Sequence, residues 1–460
     1  MKKLDELKDI IDANLEKLDI PQEAKQQLED KVRPVRKRTF KRLGFAAVPI
    51  IAAVMVFILF FTGTPVNQPV VKVYASNLME GITPREGEKV QLKEDFIRST
   101  ADFSIDLFKN SYTKGKNSLI SPTSVYLALG VTANGAGGNT LKEFETVLGR
   151  YGLNMSDLNK YYYSVAKNLT QTENARLSIA NSIWYRKDGL GVKKDFLQTN
   201  ADYYGASAYQ ADFNAPETLK QINDWVKGKT EKHIDHIIDK IAPNDYMFLI
   251  NAMYFEDEWK QPFAVDAIKP GDFKLTDGTT QKADFMHSSE MGYLKDKKAQ
   301  GFIKPYKDEK YSFIALLPNK GVDIDSYVRS LTGDSFISLI KNKSNEKVEV
   351  ALPRFEAEYE KKLDEPLKQM GLKECFTPGA DFSPMVDGGG LYVEYVLQKT
   401  AINVNEKGTK AAAATVVAMT KSAFMIQGKE IVFDRPFVYA IIDNETNLPL
   451  FIGTMMNPAK

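Results

Sequence analysis

The most constraining feature of the sequence is a stretch near the N-terminus without a single charged residue. It extends from Gly44 to Val71, and its first part, Phe45–Phe61, is almost wholly apolar. A helix that crosses a bilayer core needs roughly 17–25 such residues, whereas a helix at the surface of a soluble domain keeps one polar face. The sequence therefore predicts one transmembrane helix at residues 44–63.

The residues before this helix predict its orientation. Between Lys31 and Arg42 there are seven lysines and arginines and no acid. Such basic residues stay on the cytoplasmic side of a membrane, so we expect residues 1–43 in the cytoplasm and the rest of the chain outside. A cleaved signal peptide does not fit, because the segment ahead of the apolar run is far too long. Apolar residues at helical spacing from Leu4 to Leu18 indicate a short amphipathic helix.

The remainder of the chain divides into a linker and one large domain. Residues 64–92 mix Pro, Gly, Asn and both charges, which is typical of a linker. Residues 93–460 mix helical and strand patterns, and the strands of the second half do not alternate regularly with helices. This favours an α+β domain with mainly antiparallel sheets.

The patterned segments of this domain are as follows. Helical spacing occurs at Arg98–Tyr112, Leu141–Leu148 and Leu219–Trp225. Strand patterns occur at Phe248–Phe255, Phe313–Leu317, Val348–Leu352, Leu391–Leu397, Ala401–Val404, Ile431–Ile442 and Leu448–Ile452.

Composition and motifs point away from most kinds of catalysis. The formal net charge is +1, which provides no overall field for nucleic acid. Cys375 is the only cysteine, so no internal disulfide can form. Two of the three histidines, His233 and His236, are three residues apart, but nothing nearby completes a metal site. We expect neither a metal nor a cofactor.

The predicted layout of the chain also occurs in one class of enzyme. A single anchor followed by an external domain is the layout of penicillin-binding proteins, whose nucleophile lies in an SxxK box. Three segments have this spacing: Ser111–Lys114, Ser164–Lys167 and Ser338–Lys341. The partner boxes of such enzymes are absent from the sequence, which speaks against the alternative of a membrane-anchored serine acyl enzyme.

An alanine-rich segment near the C-terminus has an unusual composition. After Gly408 and Thr409 come Lys410, four consecutive alanines and Thr415. As a strand of period two, one face would carry Thr409, Ala411, Ala413, Thr415 and Val417, all of them small. No proline follows before Pro436, and each proline would remove a ladder donor. The composition suits a loop that can enter the interior of a sheet.

This segment resembles the hinge and reactive loop of the serpins, and the rest of the domain agrees with that family in chain order. The resemblance covers residues 93–458 and rests on the following blocks. They are Asn117–Ser124, Asn251–Phe255 with Trp259 and Pro262-Phe263, Phe285-Met286, Leu352–Phe355, Leu367–Phe376, Gly379–Ser383, Phe433–Phe437, Pro449–Gly453 and Asn457-Pro458.

The resemblance implies a fold and a mechanism. A serpin has three mainly antiparallel β-sheets, surrounding helices and an exposed reactive loop. A target protease attacks the loop and forms an acyl-enzyme, and the cleaved loop then inserts into the main sheet and deforms the protease. The implied function is inhibition of serine-type endopeptidases by a monomer, with a trypsin-like or a subtilisin- or elastase-like target and a cysteine protease left open. A non-inhibitory serpin that acts as a binding module is the alternative.

The resemblance also implies roles for individual residues. The hinge consists of Glu406, Gly408, Thr409, Ala411, Ala412, Ala413, Ala414 and Thr415. The family's usual count from Glu406 puts the reactive bond at Ser422–Ala423, and one residue fewer puts it at Lys421–Ser422. Phe424–Met425 also stays open, and we favour Lys421–Ser422.

A second group of residues is implied to control the opening of the main sheet. It comprises Ser121, Ser124, Asn251, Trp259 and Gln398. Many serpins carry a histidine where this chain has Gln398. An amide can both donate and accept hydrogen bonds, so we expect the network to survive with altered energetics.

Overall fold

A computed structural model describes residues 74–169, 175–187, 191–242, 245–409 and 429–459. Within these ranges the chain forms nine α-helices and eighteen strands, several of them very short. The helices are α1 (Glu94–Ser111), α2 (Pro122–Ala133), α3 (Gly138–Leu148), α4 (Met155–Leu169), α5 (Lys194–Tyr204), α6 (Pro216–Lys229), α7 (Ile324–Ser330), α8 (Gly333–Lys341) and α9 (Asp364–Met370).

The strands fall into three sheets. Sheet 1 contains, in spatial order, β1 (Ala75–Asn77), β5 (Ser207–Ala211), β3 (Arg176–Arg186), β6 (Met247–Glu258), β15 (Gly408–Thr409), β14 (Tyr395–Val404) and β12 (Phe355–Lys362). Sheet 2 contains β16 (Lys429–Val432), β11 (Ser344–Pro353), β8 (Thr280–Lys295), β9 (Ala299–Pro305), β10 (Tyr311–Pro318), β17 (Phe437–Asp443), β18 (Pro449–Met455) and β2 (Ser118–Ile120), with β7 (Ile268–Lys274) beside β8. The third sheet pairs β4 (Gly191–Val192) with β13 (Val386–Asp387).

The boundary between β6 and β14, which we call the seam, runs through the middle of sheet 1. The two strands are parallel, and their pairing runs from Phe248 opposite Tyr395 to Tyr254 opposite Ala401. Most described strand pairs in the molecule are antiparallel, as the sequence predicted. The parallel seam is therefore one of the few places in the fold with the less stable type of ladder.

Two elements explain why β6 is buried on both faces. On one face its residues pack with α6, which contributes Ile222 and Val226 to a shared apolar cluster. On the other face lies α2, which begins at Pro122 and is buried at every position. A helix that is apolar all round is stable only inside the protein. This helix holds the residues at its N-terminus under the seam.

The predicted elements are found, with three instructive differences. The segment Ala401–Val404 and the end of Leu391–Leu397, from Tyr395 on, belong to the single strand β14, because Gln398 and Thr400 between them face inward and bond to the layer beneath. Residues 391–394 precede the strand. The segment Ile431–Ile442 is two strands, since residues 433–436 interrupt it. Of the nine described helices the sequence patterns predicted only α1, α3 and α6, and among the longer strands they missed β3, β7, β8, β9 and β12.

The part of the predicted linker that the structure describes, residues 74–92, packs on the domain. Strand β1 pairs with the edge strand β5, and Leu78 and Ile82 pack against the main core. The Arg85 guanidinium contacts the Asp202 carboxylate of α5 at 2.6 Å. The packed body therefore begins before residue 93.

Within the described ranges no helix is both long enough and apolar enough to cross a bilayer. The predicted transmembrane helix at residues 44–63 and the basic segment before it lie outside those ranges.

Candidate functional site

The candidate site lies at one end of the seam, which we call the upper end. Here the two-residue strand β15 lies between β6 and β14 and is antiparallel to both. Gly408 is opposite Glu258 of β6, and Thr409 is opposite Asp257 of β6 on one side and Val404 of β14 on the other. The chain has thus begun to form an additional strand in the middle of sheet 1.

A tight turn, residues 405–408, carries the chain from β14 back into the seam. The Asn405 N–H donates to the Gly408 carbonyl at 3.0 Å. The Trp259 N–H donates to the Lys407 carbonyl and the Phe263 N–H to the Glu406 carbonyl, both at 2.8 Å. The indole N–H of Trp259 also donates to the Asn405 carbonyl, at 2.8 Å. The turn is therefore fixed by the chain that follows β6.

Glycine is required at position 408 because two backbones come very close there. A Cβ atom on Gly408 would lie 2.1 Å from the Asp257 carbonyl oxygen and 2.8 Å from the Glu258 Cα. Both of these atoms belong to the backbone of β6, so no side-chain rotation can make room. Glycine is therefore required because it has no side chain, and not because of its conformational freedom.

The Thr409 side chain points into the protein. It is fully buried, and its hydroxyl is 2.5 Å from the hydroxyl of Tyr306. The Tyr306 ring stacks on Trp259 with ring centroids 4.5 Å apart, and burial raises the pKa of the tyrosine well above its ordinary value. Tyr306 therefore stays neutral and able to share a hydrogen bond with Thr409 over the physiological pH range.

An ion pair connects the turn to the neighbouring strand. The Arg354 guanidinium contacts the Glu406 carboxylate at 2.7 Å, and the two side chains are 36% and 17% exposed. Because the pair is only partly shielded from water, its contribution to stability is modest. Its geometry nevertheless orients Glu406 towards the start of β12.

Below the upper end, a cluster of polar side chains closes the seam from the inside. The Gln398 amide donates to Asn251 Oδ1 at 2.6 Å and to the Ser121 carbonyl at 3.0 Å. Its Oε1 accepts the Ser121 N–H at 3.0 Å. Asn251 Nδ2 in turn donates to the Ser124 hydroxyl and to Asn181 Oδ1. We call these five residues the shutter cluster.

The glutamine at position 398 thus bonds to both neighbouring elements in the shutter cluster. It lies opposite Asn251 in the parallel pairing and is 1% exposed. All of its hydrogen bonds are to uncharged groups, so a side chain that cannot ionise is suited to this position. Asn181 of β3 also belongs to the cluster, and no role was predicted for it because β3 was not predicted from the sequence.

The structure brings together eight of the site residues that the sequence suggested. Three lie in the turn and in β15: Glu406, Gly408 and Thr409. Four lie in the shutter cluster: Ser121, Ser124, Asn251 and Gln398. Trp259 packs beneath the turn. The predicted residues Ala411, Ala412, Ala413, Ala414, Thr415, Lys421, Ser422, Ala423, Phe424 and Met425 lie outside the described residues.

Three important residues of the upper end were not assigned a role from the sequence. Arg354 belongs to one of the matching blocks, and Asp257 and Tyr306 carry no motif. Tyr306 is 103 positions from Thr409 in the chain. No local pattern could have shown that the two hydroxyls meet.

The residues considered for other chemistry are engaged elsewhere. The Ser164 hydroxyl donates to the Lys160 carbonyl and accepts the Val90 N–H, and Lys114 pairs with Asp325. The His233 ring stacks on Tyr254 with centroids 3.7 Å apart. In the part of the chain that the structure describes, no group of His, Cys, Asp and Glu side chains is arranged to hold a metal ion.

Comparison with known proteins gives a consistent result. Residues 98–458 match the family described as Serpin (serine protease inhibitor). An uncharacterised serpin-like protein of Thermococcus kodakarensis is 31% identical over 79% of this chain and 85% of its own length. The leukocyte elastase inhibitor of Bos taurus is 29% identical over 79% of this chain and 100% of its own length.

Two solved structures of the thermophilic serpin tengpin differ in their similarity to this chain. The native state has a TM-score of 0.81 at 45% identity and covers 84% of this chain and 100% of its own. The latent state has a TM-score of 0.71 at 44% identity and covers 80% of this chain and 100% of its own. The arrangement described above is thus closer to the native state of that protein than to its latent state.

Proposed function

The chain belongs to the serpin family, and we propose that it inhibits serine-type endopeptidases by trapping them after they cleave its reactive loop. The observation that supports this best is strand β15, which already lies between β6 and β14. Where β15 lies, one parallel ladder is replaced by two antiparallel ladders. Continuing this exchange along the seam would gain hydrogen bonds at every step, which provides a driving force for insertion.

The register of β15 predicts where the following residues would lie after insertion. Each further residue moves one position down β6 and one position down β14. Ala411 would then lie between Phe255 and Ile402, and Thr415 would lie between Asn251 and Gln398. The inward-facing residues of the inserted strand would be the small ones that follow Thr409 at every second position. A small side chain can enter between packed neighbours without displacing them.

The proposed reaction has two stages. The serine hydroxyl of the protease adds to the carbonyl carbon of Lys421, the bond to Ser422 breaks, and the freed amine of Ser422 leaves with a proton. The carbonyl of Lys421 remains as an ester on the protease. Insertion of about 14 residues then moves this ester by about 48 Å, which carries the protease to the far end of the sheet before water can release it.

The identity of the residue before the reactive bond would select the target. A lysine at 421 would fill the acidic pocket of a trypsin-like protease, and a serine at 422 would suit an elastase- or subtilisin-like protease. We favour Lys421–Ser422 as the bond. The name of the bovine relative, leukocyte elastase inhibitor, supports the other class of target.

A protease panel tests the proposal. The full-length chain, in detergent, is incubated with trypsin, elastase, subtilisin and papain. We expect a covalent complex that survives SDS with at least one serine protease, and a released C-terminal fragment that begins within residues 421–425, at Ser422 for the favoured bond. A protease whose catalytic serine is blocked beforehand is the control. Cleavage without any covalent complex would refute the inhibitory function.

The same material distinguishes the second candidate, a serpin that acts as a binding module without trapping. Insertion of the cleaved loop adds a strand to sheet 1, so the nicked inhibitor should melt at a much higher temperature than the intact chain. A nicked chain that melts no higher than the intact one would favour the binding module.

We also propose that the chain is held at a membrane by a single helix at residues 44–63, with the inhibitory domain outside the cytoplasm. The support is the uncharged run and the basic segment before it. Protease digestion of intact cells that express the chain should degrade the domain and leave a fragment of residues 1–63 protected. Recovery of the full chain in the fraction without membranes would contradict the proposal.

A further inference from the structure

A buried carboxyl group lies directly beside strand β15. Asp257 is the β6 partner of Thr409, and it is only 2% exposed. Its Oδ1 accepts the backbone N–H of Glu258 at 2.8 Å. The neighbouring ammonium group of Lys307 pairs with the Glu258 carboxylate, also at 2.8 Å, rather than with Asp257. A buried charge without an ion-pair partner is costly.

The charged and titratable groups around Asp257 come from its own strand and from one hairpin. The turn between β9 and β10 contributes Asp308 and Lys307 and the phenol hydroxyls of Tyr306 and Tyr311. Both phenols are buried and neutral. Among the described residues, the charges that influence the carboxyl group most are those of Asp308, Glu258 and Lys307, and they sum to −1.

Among the described residues, the two strands that follow β6 in sheet 1 at this level, β15 and β14, bring no charge. In the pairing at the upper end, β15 contributes Thr409 and β14 contributes Val404. Burial is the largest cause that raises the pKa of Asp257, to about 7, and the charges of Asp308 and Glu258 act in the same direction. The Glu258 N–H and Lys307 oppose them.

We infer that Asp257 is a positioning residue that makes the first step of loop insertion depend on pH: its neutral acid accepts strand β15 at the seam, and its carboxylate opposes it. This inference rests on the proposed trapping mechanism and specifies the regulation of the same site. The physical reason is the coverage by Thr409. When β15 leaves the seam, the carboxyl group gains access to water, and its ionised form becomes stable again.

The direction of the effect follows from proton binding. With β15 in place the pKa of Asp257 is raised, and with β15 out of the seam it returns towards the ordinary value of about 4 for aspartate. The closed arrangement therefore binds the proton more tightly and is favoured as the pH falls. The stability that the closed arrangement gains from the proton is largest when the pH is below the ordinary pKa of aspartate. It is lost as the pH rises through about 7. Between pH 8 and pH 6 the equilibrium should change about tenfold.

Hydrogen exchange of the intact full-length chain measures this equilibrium directly. The readout is the protection factor of peptides that contain residues 405–409, corrected for the intrinsic effect of pH on exchange. We expect about tenfold higher protection at pH 6 than at pH 8. In Asp257→Asn, which keeps the shape and cannot ionise, protection should be the same at both pH values.

Asp308→Asn is the matched control, because Asp308 is an exposed acid close to the same site. This variant should keep most of the pH dependence. If Asp257→Asn does not fold, Asp257→Ser provides the same test with a smaller neutral side chain. A pH dependence that survives in the folded Asp257 variant, or that is absent from the unmodified chain, would overturn the inference.

Protease trapping and the hydrogen exchange of residues 405–409 are separate measurements, so the failure of the proposed function and the failure of this inference can be distinguished. A chain that traps no protease but loses its pH dependence in Asp257→Asn would refute the proposed function and support the role of Asp257 at the seam. If the unmodified chain and Asp257→Asn trap proteases equally well and show the same pH dependence of hydrogen exchange, the proposed function is supported and the role of Asp257 is refuted.

Discussion

The two ends of the seam in sheet 1 are closed by different means. At the upper end, β15 separates β6 from β14 and pairs with both. Lower down, the two strands touch directly, and the shutter cluster ties them to the residues at the start of α2. The upper end is thus open by one step, while the lower part is still closed.

In the proposed mechanism, this difference indicates where the barrier to further insertion lies. Each residue that enters from above must break one parallel pair and form two antiparallel ones. The backbone balance is favourable at every step, so it cannot hold the loop outside. The hydrogen bonds among Gln398, Asn251 and Ser121 oppose the opening, because separating β14 from β6 leaves buried polar groups without partners. We therefore expect the shutter cluster to be the part of the seam that preserves the closed state.

Thr409→Arg is expected to have the largest effect on the upper end. Thr409 is fully buried, and an arginine there must bury its charge and displace packed neighbours, which costs several kcal/mol even with the Asp257 carboxyl group opposite. Since every 1.4 kcal/mol changes a ratio tenfold, the variant should be cleaved without trapping, with more than about tenfold fewer covalent complexes per cleaved molecule. Thr409→Ser, which keeps the hydroxyl, should trap normally. Undiminished trapping by the arginine variant would show that β15 is not the start of the inserted strand.

Gln398→Leu is expected to have the next largest effect, at the lower part of the seam. It leaves the Ser121 N–H, the Ser121 carbonyl and Asn251 Oδ1 without their present partner, at about 1–3 kcal/mol for each group that stays unsatisfied. We expect the melting temperature to fall by roughly 5–10 °C, measured by circular dichroism. Gln261→Leu, at an exposed position, should change it little. An equal change in both variants would mean that the shutter cluster does not hold the seam.

Gly408→Ala tests the close approach of the two backbones. The added Cβ would meet the Asp257 carbonyl oxygen at 2.1 Å, so β15 should be displaced at a cost of about 1–3 kcal/mol. Faster hydrogen exchange of residues 405–409 is the expected result. Gly228→Ala in α6 is the control, since a Cβ there meets nothing within 4 Å. Unchanged exchange in the first variant would contradict the described geometry.

Arg354→Ala should have the smallest effect. The Arg354–Glu406 pair is partly exposed, so its loss should destabilise the turn by only about 0.5–1 kcal/mol. A double-mutant cycle with Glu406→Ala measures the coupling, which should weaken in high salt. Lys347→Ala removes an exposed pair to Glu349 in sheet 2 and should leave the exchange of residues 405–409 unchanged. A coupling above about 2 kcal/mol would show that the pair is better shielded than its exposure indicates.

Part of the architecture could be predicted because apolar runs in the sequence mark the buried strands. The near-continuous apolar run Phe248–Phe255 marks β6, and the run Phe313–Leu317 marks β10. The patterns failed where a polar residue had a tertiary partner. Gln398 and Thr400 interrupt the apolar pattern of β14, and the sequence therefore indicated two strands in place of one.

The order of the sequence blocks was sufficient to identify the family, and the small residues after Gly408 were sufficient to suggest a strand that can be inserted. Both depend only on which residues are neighbours in the chain. The contacts that would govern the proposed insertion join residues far apart in the chain: Gln398 meets Asn251 across 147 positions, and Thr409 meets Tyr306 across 103. Whether Asp257 is an ordinary surface acid or a buried one beside β15 is decided by what covers it, and only the folded chain brings those covering strands together.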